Sequence, residues 1–280
     1  MRLSADALTF LVVATARIPY TGSVMTRRRW IATTFDAQTA TLTGSQAEHL
    51  TRVLRATVGM RADVVAGDRV YSAVIDQVSD SQVRFQLEEE LSAGSSPSLP
   101  IELMVAVFKF DRLEWALEKA TELGVSVIVP VLARRTEKHL AQAAATRVER
   151  WRRIAREAAQ QSRGSFIPRI DDPQPLSACM QHSGSLRILL SEHETALTLA
   201  DCIRPSLQQT PAATAAQSIT LAIGPEGGWT SEEAAAFAQS GWQPATLGPR
   251  ILRAETAIIA SLAIVQSLLM DASLTVPDRT

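Results

Sequence analysis

From Ile101 onward, near-continuous apolar runs alternate with stretches of helical period, and this alternation constrains the fold more than any other feature of the chain. IELMVAV (Ile101–Val107), VSVIVPV (Val125–Val131), RILL (Arg187–Leu190), ITLAI (Ile219–Ile223) and ATLGP (Ala245–Pro249) lack the in–out pattern of a half-solvated strand. Strands apolar on both sides need cover on both sides, so the runs predict an α/β domain with a parallel sheet between helical layers. In the first intervening helix Leu113, Ala116, Leu117, Ala120 and Leu123 share a face. Asp111 and Glu114 have capping-box spacing there, and Gly124 is placed to end the helix. Val148, Trp151, Ala155 and Ala158 stripe a second helix. ETAIIASLAIVQSLLM (Glu255–Met270) is apolar around most of its circumference, so it needs a core on several sides or a second subunit, and periodicity does not choose between them.

Before Ile101 the pattern is different. Trp30–Thr34, Ala62–Val65, Val70–Ile75 and Val83–Leu87 read as short strands, with one helical piece at Ser45–Leu54, which predicts a small β-barrel-like domain. LSAGSSPSLP (Leu91–Pro100) has linker composition. The expected division is therefore a β domain at 25–90, a linker at 91–100, an α/β domain at 101–271 and a tail at 272–280. Residues 1–24 read as an N-terminal extension or a misplaced start, because Met25 stands directly before TRRRW. Their apolar run is short and follows a single Arg2, a weak likeness to an export signal. No run is expected to reach transmembrane length.

The net charge of −1 argues against a uniformly basic nucleic-acid binder, but it conceals a local excess. Arg27, Arg28, Arg29, Arg52, Arg55 and Arg61 face only Asp36 and Glu48 over residues 26–61, which suits either phosphate contacts or a solvated basic face. Cys179 and Cys202 cannot build a disulfide framework, and the four scattered histidines show no zinc spacing. No metal is expected, and a reducing cytoplasm is the expected location.

The chemistry is expected at two loops. GPEGGWTSEE (Gly224–Glu233) leaves ITLAI through three glycines and a proline, and Thr230 with Glu233 makes a capping box for a helix starting at Ser231. LGPRILRAET (Leu247–Thr256) leaves another strand the same way. Glycine lets a ligand touch main chain, and the carboxyl ends of parallel strands are where ligands bind. Neither loop is a P-loop or a dinucleotide fingerprint. Together they predict one pocket with a backbone-lined floor, into which Arg250, Arg253, Glu226 and Glu255 project.

GPEGG and LGPRILRAETA, with LEWALEKATELGVSVIVPV, ERWRRIAREAAQQS and HLTRVLR (His49–Arg55), resemble the ribosomal RNA small subunit methyltransferase E family from about Arg27 to Met270. The resemblance implies a PUA-like β-barrel for RNA, followed by a SPOUT α/β domain whose C-terminal trefoil knot binds S-adenosylmethionine, in a homodimer. It implies methylation of N3 of a specific uridine in 16S rRNA of the small ribosomal subunit. Another SPOUT activity, on a tRNA ribose, and a catalytically silent RNA-binding relative remain as alternatives. Carried over by position, the cofactor residues are Leu190, Ser191, Glu192, Gly224, Pro225, Glu226, Gly227, Gly228, Leu247, Gly248, Ile251, Leu252 and Ala254. The catalytic candidates are Arg253, Glu255 and Glu226. Ala254 stands where the family's R-T-E has threonine, which removes a hydroxyl. Arg27, Arg28, Arg29, His49, Arg52 and Arg55 are the expected RNA contacts; Arg147, Arg150, Arg152, Arg153 and Arg156 are either further contacts or a solvated face. Trp30 and Trp229 are candidates for stacking on a base or for ordinary burial.

Overall fold

The computed structural model describes residues 24–67, 69–93, 99–180, 185–208 and 218–274. Residues 1–23 of the expected extension, half of the expected linker (94–98) and the end of the tail (275–280) lie outside the described residues.

The first sheet comprises β1 (Val24–Ile31), β2 (Thr34–Phe35), β3 (Thr39–Thr43), β4 (Arg61–Ala66), β5 (Arg69–Val78) and β6 (Gln82–Ala93), in the order β1-β4-β5-β6-β3-β2. β1 runs parallel to β4, and the other pairs are antiparallel. The edge strands β1 and β2 are separated in the chain only by Ala32 and Thr33, so the sheet must curl to bring its edges together. Ala32 N–H donates to Val65 O and Thr33 N–H to Thr41 O, each at 2.8 Å. Register shifts between β5 and β6 supply the bend. Trp30, Leu42, Leu50, Ile75 and Phe85 fill the inside. The expected helix over Ser45–Leu54 is instead α1 (Ser45–Glu48) followed by a π-helical turn, His49–Val53. β6 continues to Ala93, three residues past the expected domain end.

The second sheet is wholly parallel. Its elements are β7 (Ile101–Ala106), α2 (Phe110–Glu122), β8 (Val127–Leu132), α3 (Lys138–Gln161), β9 (Arg169–Ile170), β10 (Gln174–Pro175), α4 (Leu176–Cys179), β11 (Leu186–Leu190), α5 (Leu199–Gln208), β12 (Ile219–Ile223), α6 (Ser231–Gln239), β13 (Gln243–Ala245) and α7 (Ala254–Leu274). The order is β10-β8-β7-β12-β11-β13, with β9 beside β8. Both faces are covered, as the apolar runs require. Ile101, Leu103 and Val105 of β7 pack with Leu113 and Leu117 of α2, Trp151 of α3, Ile203 of α5 and Ile258 of α7. Met104, pointing the other way, packs with Val129, Leu189, Cys179 of α4 and Phe237 of α6.

Two expectations need correction here. Asp111 and Glu114 form no capping box: α2 starts at Phe110 with Lys109 as its N-cap, which puts Glu114 five residues in and out of reach of the cap. Its carboxylate instead accepts from Arg150 Nε at 2.8 Å and lies 3.5 Å from Arg147. These two arginines are thereby tied to α2, and Arg152 is tied to Glu149 and Asp172. The second correction is at α7, where the 18-residue window Ala254–Asp271 has a mean hydropathy of 1.4, enough by length and composition to cross a membrane. Ile258, Leu262 and Val265 are buried in the sheet core, so part of this apolarity serves packing. Within one chain α7 is not buried all round, a choice its periodicity left open. Ile259, Ile264, Leu268 and Leu269 are only partly covered, and Met270 is 63% exposed.

The expected stop at Gly124 is present. Gly124 has φ 78°, and Val125 N–H reaches back to Ala120 O at 3.1 Å, closing α2 in a Schellman turn. Gln266 of α7 donates to Leu123 O at 2.8 Å, adding a tertiary cap. The two sheets meet at the C-terminal end of α3. There Arg163 pairs with Asp63 at 2.8 Å, and the buried amides of Gln160 and Gln46 bond to each other.

Candidate functional site

The strand order explains where the site forms. The chain lays β8 on one side of β7, then crosses to β11 and returns to place β12 between β11 and β7. β13 follows beyond β11, so the carboxyl ends of β12, β11 and β13 lie side by side. Their loops converge beside a topological switch point, where open parallel sheets bind ligands. A cavity of about 840 Å³ opens there, within the size range of small-molecule sites.

Of the residues expected to hold a cofactor, Leu190, Ser191, Glu192, Gly224, Pro225, Glu226, Gly228, Leu247, Gly248, Ile251, Leu252 and Ala254 line this cavity. Gly227 does not. A Cβ at Gly227 would lie 3.3 Å from Arg135 Cδ, and its carbonyl accepts from Arg135 Nη1, so this glycine serves a contact behind the loop. Gly228 at φ +69° and Gly248 at φ +117° adopt backbone that favours glycine, and both line the cavity. At Gly224 a Cβ would come within 3.1 Å of Trp229 Nε1. That indole is part of the wall, packed edge-on against Phe237 with centroids 4.9 Å apart, and its Nε1 is a buried donor without a partner among the described residues.

The loops are held by bonds of their own. The capping box at α6 is present as expected: Glu233 N–H donates to Thr230 Oγ1 at 3.2 Å, and Thr230 N–H donates to Glu233 Oε2 at 2.8 Å. Glu233 also accepts the backbone N–H of Arg134 at 2.7 Å through Oε1, which ties the turn after β8 to the glycine loop. In the loop after β13, Gly248 N–H donates to Thr246 Oγ1 at 3.2 Å. In the loop after β11, Glu194 accepts from the N–H groups of Ala196 and Leu197, and these backbone bonds hold its carboxyl below the usual carboxylate range.

Among the catalytic candidates, Arg253 is exposed on the cavity wall, with no ion pair among the described residues. Glu226 lines the cavity, whereas Glu255 is 9% exposed behind it, with Oε2 buried and without a partner among the described residues. Both carboxylates address a residue the sequence reading missed. Arg112, in the first turn of α2, lies 2.6 Å from Glu226 Oε1 through Nη1 and 3.9 Å from Glu255 Oε1 through Nε, and it lines the cavity. Its position just beyond the carboxyl end of β7 was the available signal. Arg135 was missed as well, and no local pattern marks it.

The expected RNA residues are distributed differently. Arg52 and Arg55 are exposed on the first domain, and Arg55 takes φ 52° after the π-helical turn. His49 is half-buried with its ring 6.0 Å from that of Trp30, which is 1% exposed, so for Trp30 burial is the reading that stands. Arg29 departs from expectation. It is half-buried at the joint between the sheets, donating to Arg163 O at 2.7 Å, and burial, then the Arg163 guanidinium, pulls its pKa below the ordinary value. Arg27 and Arg28 lie on β1, but their side chains are outside the described residues.

Comparison with known proteins agrees with this architecture. The RNA methyltransferase domain family matches residues 95–266. Ribosomal RNA small subunit methyltransferase E of Synechocystis is 34% identical over 234 residues, covering 82% of this chain and 74% of that protein. The protein of the same name from Bacillus subtilis is 29% identical over 239 residues, covering 82% and 90%. The crystal structure of ribosomal RNA small subunit methyltransferase E from Neisseria gonorrhoeae bound to S-adenosyl methionine aligns with a TM-score of 0.73 at 27% identity, over 86% of this chain and 97% of that one. The chain belongs to the ribosomal RNA small subunit methyltransferase E family.

Proposed function

We propose that the cavity holds S-adenosylmethionine and that the protein methylates N3 of a uridine in 16S rRNA. The observation that carries this reading is the convergence of three adjacent strand-end loops on one cavity with bare backbone at Gly224, Gly228 and Gly248. The fit is good: the volume suits a nucleoside with an amino-acid tail, and the wall offers main chain, the carboxylate of Glu192 and the buried Trp229 Nε1 donor, which has no partner among the described residues. Ser191, Glu192, Gly224, Gly228, Leu247, Gly248 and Leu252 would hold it. Ala254, buried at the start of α7, leaves its contact to neighbouring main chain, since it has no hydroxyl.

When bound, the cofactor supplies a methyl group already activated by a sulfonium. The protein must then hold the uracil in line, remove its N3 proton and stabilise charge developing on its carbonyls; positioning accounts for roughly 7–11 kcal/mol of such barriers. Arg253 stabilises that charge in this reading, which its exposure on the cavity wall without an ion pair among the described residues supports. N3 lies on the pairing edge, so the base has to be unpaired or flipped. The curled sheet with Arg52 and Arg55 serves as a PUA-like RNA module, with Arg27 and Arg28 on β1. The return of α7 from edge strand β13 to pack on α2 and α5 supports the reading of a trefoil knot. The partly covered Ile264 and Leu268 side of α7 suits a second copy in a homodimer. A reducing cytoplasm suits the buried free thiols Cys179 and Cys202.

Two measurements test the reading. Calorimetry with S-adenosylmethionine should show one site per chain, and no binding at millimolar cofactor would favour the silent relative. Mass spectrometry of 16S rRNA from a deletion strain should show loss of one N3-methyluridine; intact modification, with loss of a tRNA ribose methyl instead, would favour the other alternative.

A further inference from the structure

Arg112 draws together three distant parts of the chain, the first turn of α2, the glycine loop after β12 and the start of α7. We infer that Arg112 is a positioning residue for methyl transfer, holding Glu226 so that its free carboxylate oxygen faces the reacting base; this rests on the function proposed above. Glu226 Oε1 is taken by Arg112 Nη1 at 2.6 Å, while Oε2 has no hydrogen-bond partner among the described residues. Glu226 lines the cavity and its side chain is one-third exposed, so Oε2 is open to a ligand. Glu255 approaches the opposite edge of the guanidinium, 3.9 Å from Nε, and steadies it from the buried side. An arginine between two carboxylates satisfies a planar fork that a lysine cannot reproduce. An ion pair this exposed contributes under about 1 kcal/mol to stability, so its geometry matters more than its strength. In the step assigned to Glu226, the N3–H bond of uracil breaks, an O–H bond forms at Oε2, and the electron pair stays on N3 for the bond to the methyl carbon, whose C–S bond would break with its electron pair returning to sulfur to leave a neutral thioether. Glu255 is no equal candidate, because it does not line the cavity.

The test uses full-length Arg112→Gln, Arg112→Lys, Glu226→Gln and the Arg112→Gln/Glu226→Gln double variant. Cofactor affinity is read by calorimetry, and turnover with labelled S-adenosylmethionine on small subunits lacking the modification. Arg112→Gln is expected to lower kcat at least about tenfold. Its Kd for S-adenosylmethionine should stay within about threefold. Arg112→Lys should recover part of the loss, and the double variant should lose no more than the worse single variant. An unchanged kcat, additive losses in the double variant, or a Kd weakened tenfold with kcat intact would each overturn the inference. If wild type transfers no methyl group, the functional reading fails by itself. The positioning role is then judged by a crystal structure of Arg112→Gln, where an unmoved Glu226 carboxylate refutes it and a displaced one supports it.

Discussion

Replacing Glu233 by alanine should destabilise the protein and loosen the cavity together. Glu233 is 6% exposed and uses both oxygens on backbone N–H groups, Thr230 at 2.8 Å and Arg134 at 2.7 Å. Hydrogen bonds to a charged group contribute about 1.5–3 kcal/mol each, and alanine would leave two partly buried donors unpaired. Non-additivity brings the expected total to about 3–5 kcal/mol. For a domain this size that is a fall in melting temperature on the order of 10 °C. Glutamine keeps the shape and one acceptor but turns an amide donor toward a second N–H, so Glu233→Gln should cost about half as much. Thermal melts of the three proteins give the ranking. Because the lost bonds tie the glycine loop to the turn after β8, the calorimetric affinity for S-adenosylmethionine should fall as well. A Glu233→Ala protein melting within 2 °C of wild type, a shift of about 1 kcal/mol or less, would refute the reasoning.

Gly248→Ala should weaken cofactor binding about tenfold, because a side chain at φ +117° is strained by about 1–3 kcal/mol and lies on the cavity wall. Gly227→Ala should leave the affinity within about twofold, since its Cβ meets Arg135 behind the loop; the opposite ranking in calorimetry would contradict the site geometry. Arg253→Ala should abolish turnover on small subunits while leaving cofactor affinity intact, and full activity would remove it from the mechanism. Cys179, whose pKa burial and then Asp171 push up to about 11, should resist Ellman's reagent at pH 8 in the native state. Unfolded, the thiol ionises near its ordinary value of 9.0, so between about pH 9 and 11 the unfolded state holds fewer protons and stability falls as pH rises. A denaturant midpoint that climbs over that window would contradict the sign.

The capping boxes show how far local spacing reaches. Thr230–Glu233 and Asp111–Glu114 look alike in sequence, and only the first forms. A helix must begin at the capping residue for three-residue spacing to matter. At Asp111 the helix starts two residues too early, and Glu114 turns to Arg147 and Arg150 of α3. Gly227 and Gly228 are likewise equivalent in sequence, yet the structure gives one to Arg135 and the other to the cavity. The all-round apolarity of α7 was legible, but the number of its faces covered within the chain was not.

What the chain determines by itself follows from short-range periodicity. Apolar runs without in–out alternation compel a buried parallel sheet, and side-chain-poor bends at its strand ends mark where main chain is offered to a ligand. What only the tertiary structure decided is which residues meet: Arg112 with Glu226 and Glu255, Arg134 with Glu233, Arg29 with the end of α3. Arg112 and Glu226 stand 114 residues apart. Their contact depends on the order in which β7, β12, β11 and β13 assemble, and local patterns of hydrophobicity carry no record of that order.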